Sequence, residues 1–133
     1  MNTGNFIHEP IDLGYTDLES KTTSAGRKYA APNGIKYPSI TTVLSILSED
    51  HIREWRARVG EEEANRISKR ASTRGTAVHE LAENYLNNKE DWSKGYMPAN
   101  IFTFNTIKPV LESRVNNIWA QEVPLYSDRL QIA

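Results

Sequence analysis

The sequence predicts an α+β protein, and three observations lead to that fold class. An Asn-Gly pair between short apolar and aromatic runs, at residues 33–34, is typical of a β-hairpin. Apolar residues then recur at helical spacing through most of residues 39–118, which indicates several helices. From Trp119 onward the apolar period changes to two, which indicates strands. We therefore expect a helical layer that packs on a sheet.

The composition is that of a globular protein, and it excludes several kinds of site. Hydrophobic residues make up 38% and charged residues 25% of the 133 residues. There is no cysteine, which excludes disulfides, thiolate metal sites and cysteine nucleophiles. We see no signal peptide and no apolar run of membrane-spanning length, so we expect a cytoplasmic protein without a membrane partner. The net charge of -1 still allows a local basic patch.

The first β-structure is predicted to follow an irregular N-terminal arm. Residues 1–26 are polar, with three glycines and a Ser/Thr cluster, and they predict that arm. Residues 27–133 are predicted to form the N-terminal part of a single, incomplete domain. Its hairpin covers Arg27–Tyr37, and Pro32-Asn33-Gly34 forms the turn.

Four helices are predicted after the hairpin. The hydroxyl of Ser39 can cap the first one, whose apolar residues Ile40, Val43, Leu44 and Leu47 lie at helical spacing. A second, short helix starts after Ser48-Glu49-Asp50 and stops at Gly60. The acidic Glu61–Glu63 suits the first turn of a third, longer helix, which ends near Asn87-Asn88.

The fourth helix and the strands after it complete the predicted elements. The helix lies near Asn100–Asn117, with Pro109 as a kink or a late start and with Ile107, Leu111, Val115 and Ile118 facing inward. Glu122–Tyr126 is predicted to be a strand, and Leu130 begins a returning strand after a turn. Because an isolated pair of strands is marginal in water, we expect a larger sheet, most of which is missing through truncation.

One stretch of the third helix carries the candidate chemistry. Gly75, His79 and Glu83 are spaced four residues apart and therefore share one side of the helix. Glycine costs roughly 1 kcal/mol inside a helix, which suggests close approach of another backbone or a phosphate. His79 could bind a metal, with Glu83 or Glu80 orienting its ring. The alternative is an ordinary interaction between His79 and Glu83 across one helical turn.

Four basic residues precede that stretch on roughly one side of the same helix, namely Arg66, Lys69, Arg70 and Arg74. Two interpretations remain open. The residues could track a nucleic-acid backbone, which suits a protein that ignores base sequence. They could also form a solvated face that Glu61–Glu63 balances. Ser39 and Thr41 are candidates for a further phosphate contact, with helix capping and packing as the alternative.

The order of three motifs resembles one family. Tyr37-Pro38-Ser39-Ile40-Thr41-Thr42-Val43-Leu44 is followed by Trp55-Arg56 with Gly60, and then by Arg74-Gly75-Thr76 with His79 and Glu83. From about Arg27 onward the chain resembles the RecB-like branch of the PD-(D/E)xK nucleases. It is similar in particular to the phage exonucleases that resemble the mitochondrial genome maintenance exonuclease.

The resemblance implies a restriction-endonuclease-like fold with a central mixed sheet, and a DNA exonuclease that depends on Mg²⁺ or Mn²⁺. It implies that His79 is a metal ligand, that Gly75 and Thr76 belong to the motif beside it, and that Glu122 lies just before the catalytic sheet. The expected DNA partner has a single-stranded end.

The catalytic carboxylates of that family would come later in the sequence. Family members continue with a Gly-x-x-Asp block and an Asp/Glu-x-Lys strand, and neither follows Ala133. We therefore expect no catalytic residue in these 133 residues and an inactive N-terminal fragment of the nuclease. The alternative function is a non-catalytic DNA-binding or interaction module.

Overall fold

The α+β class predicted from the sequence is confirmed. The structure, a computed structural model, describes residues 6–14 and 16–133. Its strands are β1 Ile7–His8, β2 Ser20–Thr23, β3 Gly26–Ala30, β4 Lys36–Pro38 and β5 Asn117–Ile118. Its helices are α1 Ile40–Ser45, α2 Glu49–Val59, α3 Glu61–Leu86 and α4 Pro98–Arg114, with a 3₁₀ turn at Ile46–Ser48.

The chain divides into two units that are each continuous in space. Unit 1 consists of Met1–Ile11 and Glu62–Gln121, and unit 2 consists of Asp12–Glu61 and Glu122–Ala133. Unit 1 therefore contains nearly all of α3, the whole of α4 and the β1–β5 pair. Unit 2 contains the other three strands, α1, α2 and the C-terminal residues.

The sheet of unit 2 has three antiparallel strands in the order β2-β3-β4. The predicted hairpin is confirmed, since β3 pairs with β4 around a turn in which Gly34 has a φ of +82°. The prediction of irregular structure for residues 1–26 is wrong in two places. Ser20–Thr23 is a strand that pairs with Arg27 and its neighbours, and Ile7–His8 is a strand that pairs with β5. The polar composition of β2 hid this strand, because all four of its residues are exposed. The rest of that prediction over residues 1–5 and Tyr15 lies outside the described residues.

The helix ends of unit 2 follow the predicted capping chemistry. The hydroxyl of Ser39 accepts a hydrogen bond from the amide of Thr42 at 3.1 Å, which caps α1. Gly60 ends α2 with a φ of +89°, a conformation that glycine adopts without a steric penalty. The apolar residues of α1 and its 3₁₀ turn are exposed: Ile40, Val43, Leu44, Ile46 and Leu47.

The C-terminal strand prediction is wrong. Glu122 has a φ of +54°, a left-handed conformation that does not continue a strand. Residues 123–133 form no extended ladder, and a single antiparallel bridge among them joins Ser127 to Ile132 across a turn. The turn itself was predicted. Ala133 accepts from the amide of Ile40 at 2.8 Å and donates to the carbonyl of Pro38 at 3.1 Å.

The core of unit 1 forms where α3 and α4 pack around aromatic rings. Leu81 and Phe104 are fully buried and Tyr85 is nearly so. The ring of Tyr85 meets the rings of Phe6, Trp92 and Phe104 edge-on, with centroids 5.4 to 5.6 Å apart. This cluster fixes the C-terminal half of α3 and leaves its N-terminal half to other contacts.

The N-terminal end of unit 1 is held to the end of α3 by hydrogen bonds. The side-chain amide of Asn88 donates to the carbonyl of Phe6 and accepts from its amide, both at 2.8 Å. A ring nitrogen of His8 lies 2.8 Å from the carbonyl of Leu86. Asn88 ends the helix with a φ of +56°, as predicted for this position.

The fourth helix is confirmed, but its inward face differs from the prediction. Phe104 is buried, whereas Ile107 is 40% exposed. Leu111 and Val115 are partly buried against the core, as predicted. Pro109 lies inside α4, so the carbonyl one turn earlier lacks its usual donor there. Among the described residues, no helix is both long enough and apolar enough to cross a membrane.

Candidate nucleic-acid interface

The middle of α3 is exposed on every side. All twelve residues of 65–76 are exposed, which corresponds to about 18 Å of helix. The helix is anchored at one end by buried Ala64 and at the other by Leu81 and Tyr85. A helix of this length would be marginal in water by itself, so its two anchored ends hold this segment in shape.

Three of the predicted basic residues form a stripe on this segment. Arg66, Arg70 and Arg74 are four residues apart and therefore lie on one side of α3. A shallow depression of about 230 Å³ lies among them, with Ile67 and Ala71 at its floor. We call these three arginines with Lys69 the basic stripe.

Only one member of the basic stripe is neutralised within the described residues. Arg66 donates to both carboxylate oxygens of Glu63, at 2.6 and 2.8 Å. This hydrogen bonding holds the pKa of Glu63 below its usual range and raises the pKa of Arg66. Lys69, Arg70 and Arg74 have no ion-pair partner in the described part of the chain. The acidic residues before the stripe therefore balance only part of its charge.

The predicted metal-site residues follow the basic stripe directly and extend about two turns further along α3. Gly75, Thr76, His79 and Glu80 line a second shallow depression of about 410 Å³. The imidazole of His79 is exposed. No described protein atom lies within 4 Å of the place where a Cβ on Gly75 would be. Close packing of another protein backbone therefore does not explain Gly75, while approach of a phosphate stays a prediction.

Glu80 and Glu83 have different surroundings. The carboxylate of Glu80 accepts a hydrogen bond from the Tyr96 hydroxyl at 3.0 Å, which draws it toward the loop before α4. Burial, and then this hydrogen bond, raises the pKa of Tyr96. Glu83 is half-buried, and its backbone carbonyl accepts from the Gln121 amide at 3.3 Å. No sequence pattern indicated a role for Tyr96 or Gln121, because both lie in irregular segments.

The metal ligands do not assemble into a complete site in the described residues. No group of three His, Asp or Glu side chains there could hold a metal ion. His79 therefore fits the part of a single ligand, and Mg²⁺ would require carboxylate oxygens that this surface does not gather. Glu122 belongs to unit 2, is exposed and does not begin a strand.

Ser39 and Thr41 occupy a hydroxyl cluster at the start of α1. Ser39 is 5% exposed, and its hydroxyl lies 3.1 Å from that of Thr41 and 2.7 Å from that of Thr42. The Thr42 hydroxyl also accepts from the amide of Arg27, which links α1 to β3. Gly26 is needed beside it, since a Cβ there would lie 2.5 Å from the Thr42 side chain. These contacts explain the motif as a structural one, and a phosphate contact from Thr41, which is exposed, stays a prediction.

Comparisons with protein families, with curated proteins and with solved structures find no match to this chain. The resemblance to the RecB-like nucleases therefore rests on the motifs themselves. The basic stripe and the surface around His79 are the features from which a function has to be argued.

Proposed function

We propose that this chain contributes the DNA-contacting surface of a metal-dependent DNA exonuclease of the PD-(D/E)xK type, and that it is inactive by itself. The observation that supports the proposal is the exposure of the basic stripe. Lys69, Arg70 and Arg74 project from a three-turn segment that is exposed on all sides and have no acidic partner in the described residues. An extended row of unpaired cations suits the phosphate backbone of a nucleic acid.

The helix geometry favours contact with a backbone over contact with bases. Arg70 and Arg74 lie one turn apart, about 6 Å along the helix axis. No exposed aromatic residue lies between Asn65 and Thr76 to stack on a base. Binding through this surface would therefore be independent of base sequence and would weaken steeply with salt, as expected for an enzyme that degrades DNA of any sequence.

The nuclease part of this proposal comes from the motif around His79. His79 lies five residues beyond Arg74, about 8 Å further along α3 and roughly 140° around it, so DNA bound to the basic stripe would have to curve around the helix to reach the imidazole. A divalent ion in this family activates water and polarises the phosphate. The described residues supply His79 and no group of three ligands, so the ion would need further ligands from outside them.

The test is a binding titration with labelled DNA at several salt concentrations. We expect weak binding of both single- and double-stranded DNA, with no dependence on base sequence and a logarithmic salt slope of about -2 to -3, because three cations are available. The double variant Arg70→Glu with Arg74→Glu should reduce affinity at least tenfold, since charge repulsion replaces attraction at two positions.

The matched control makes the same change of charge away from the stripe. Lys94→Glu with Arg129→Glu alters two exposed residues in other loops by the same four charges. It should lower affinity much less than the stripe variant. Equal losses in the two double variants would show that only net charge matters, and the proposed surface would be wrong.

A second candidate function shares the DNA surface and lacks the chemistry. It is a non-catalytic DNA-binding or interaction module, and the lack of any three-ligand group in the described residues favours it. Cleavage separates the two, because a module would stay inactive with every partner segment supplied, whereas the nuclease would gain activity from its catalytic strand.

We place either protein in the cytoplasm, where a chain without cysteines needs no oxidising environment.

A further inference from the structure

Unit 2 contains a groove that neither the basic stripe nor the surface around His79 uses. It has a volume of about 800 Å³, within the range of small-molecule sites. Its walls are the turn between β2 and β3 on one side and the α1 and α2 helices on the other. All of its lining residues belong to unit 2.

The polar groups of the groove are guanidiniums, carboxylates and hydroxyls, the last from Ser24, Thr41, Thr42, Ser45 and Ser48. Arg53 and Arg56 line it from α2, and the Ser24 hydroxyl lines it from the tip of the β2–β3 turn. Ser24 has no hydrogen-bond partner in the described part of the chain, so its proton is free to donate. Two carboxylates, those of Glu49 and Glu61, also line the groove and can only accept hydrogen bonds at neutral pH.

Arg53 and Arg56 each form an ion pair with a carboxylate that a ligand could replace. Arg56 donates to the Glu61 carboxylate at 2.8 Å, and Arg53 pairs with Asp50. Both acidic partners are more than 70% exposed, and such pairs contribute little free energy in water. A phosphate can accept two hydrogen bonds from one guanidinium and carries up to two negative charges, so it competes well for these groups.

The apolar part of the lining comes from the same two sides. Ile46 and Ile52 lie on the helical wall and Ala25 lies on the turn. Gly26 keeps the turn close to α1, because any side chain there would collide with Thr42. The groove therefore combines guanidinium donors, carboxylate acceptors and an apolar surface within one unit.

We propose that this groove binds a nucleoside 5′-monophosphate. Its phosphate would be held by Arg56, Arg53 and Ser24, a sugar hydroxyl would donate to Glu49, and the base would lie against Ile46 and Ile52. A free phosphate would leave the apolar wall uncovered, and a purely apolar ligand would make no use of the guanidinium and hydroxyl donors of the groove. The proposal does not depend on DNA binding by the basic stripe.

The test follows backbone amide shifts by NMR during titration with thymidine 5′-monophosphate, with inorganic phosphate and with thymidine. We expect the nucleotide to bind at least fivefold more tightly than either fragment, with the largest shifts at Ser24–Gly26 and in α2. Arg56→Gln should weaken binding about tenfold, the usual effect of losing a charged hydrogen bond. Arg58→Gln removes the same charge from α2 outside the groove and should bind as the parent does.

A second pair of variants tests whether removing a carboxylate from the groove strengthens nucleotide binding. Glu61→Gln removes the carboxylate that pairs with Arg56 and should strengthen nucleotide binding about two- to fivefold, whereas Glu54→Gln, outside the groove, should leave it unchanged. Arg53→Gln serves as the test if Arg56→Gln fails to fold. Binding that is insensitive to Arg53 and Arg56, equal binding of inorganic phosphate and nucleotide, or no binding of any probe would overturn the proposal. The Arg70→Glu with Arg74→Glu variant should bind the nucleotide normally, so failure of the DNA surface is recognised separately.

Discussion

The Tyr37 hydroxyl donates a 2.7 Å hydrogen bond to the Asp128 carboxylate, which lies 91 residues further along the chain. The Asn33 side-chain amide donates to the Tyr37 hydroxyl oxygen and to the same carboxylate oxygen of Asp128, at 3.0 Å each. Tyr37 itself is 2% exposed. This network fastens the C-terminal turn to the hairpin, so unit 2 depends on a contact between its two distant segments.

The network gives a prediction about alkaline pH. The hydrogen bond to Asp128 raises the pKa of Tyr37, so the folded chain holds this proton more tightly than the unfolded chain does. The contribution to stability is complete below the ordinary tyrosine pKa of about 10 and is lost as the pH rises through the folded value. Tyr37→Phe should unfold at a lower temperature than the parent at pH 8.

The measurement is a pair of thermal melts, at pH 8 and at a pH above 10. The difference between the parent and Tyr37→Phe should shrink at the higher pH, because phenylalanine does not titrate while Tyr37 becomes an anion beside Asp128. Asp128→Asn keeps an acceptor without the charge and should show less loss at high pH. A difference that does not vary with pH would contradict the assigned role of the hydrogen bond.

Local chemistry made part of this fold predictable from sequence. The Asn33-Gly34 turn, the Ser39 cap and the Gly60 stop each depend on residues within a few positions, and the structure has all three. The length of α3 was also predictable, because its apolar spacing continues from Ala64 to Tyr85.

The errors fall where distant residues decide the outcome. β1 has two residues and exists through its parallel pairing with β5, 110 positions away by number (Ile7 with Asn117). Glu122–Tyr126 alternates as a strand would, but Glu122 adopts a left-handed conformation and no partner strand accepts it. The candidate site shows the same division, since the cations of α3 could be placed on one side of the helix, whereas the pairing of Glu80 with Tyr96 could not be inferred.

Shortening a side chain in the core of unit 1 should lower the stability of the chain far more than shortening the proposed metal ligand does. Leu81→Ala removes a fully buried side chain and should lower the free energy of unfolding by about 2 to 5 kcal/mol. His79→Ala, two residues earlier on the same helix, changes an exposed side chain and should alter it by less than about 0.5 kcal/mol. Urea unfolding of both variants checks this, and a large loss for His79→Ala would show that its ring is structural.

Replacing Gly75 with alanine should stabilise the chain. It lies inside α3 with no described atom near the position of a Cβ, so Gly75→Ala should raise the free energy of unfolding by about 1 kcal/mol. Ser72→Ala, at an exposed position of the same segment, controls for helix propensity. If a phosphate approaches the helix at Gly75, the same variant should also bind DNA more weakly. Unchanged DNA affinity would leave the glycine without a functional role.

The chain should not cleave DNA with either Mg²⁺ or Mn²⁺. The described residues offer His79 without a cluster of carboxylates around it, and a hard divalent ion held by one imidazole would exchange rapidly. Labelled single- and double-stranded DNA incubated with the purified chain would stay intact over hours. Cleavage that requires metal, is blocked by EDTA and is lost in His79→Ala would mean that a complete site exists in this chain.

The ion pair between Glu63 and Arg66 limits how many cations the basic stripe presents. Glu63→Gln removes the carboxylate whose two oxygens accept from one edge of the Arg66 guanidinium, so Arg66 becomes available to a phosphate. DNA affinity should rise, and the logarithmic salt slope should become steeper by about 1, because one more phosphate is neutralised.

Glu62→Gln is the matched control, since it removes the same charge from the neighbouring position, where no ion pair to Arg66 exists. It should raise affinity slightly through net charge and leave the slope unchanged. The same change of slope in both variants would mean that Arg66 was never held back by Glu63, and that the stripe acts only through the overall charge of α3.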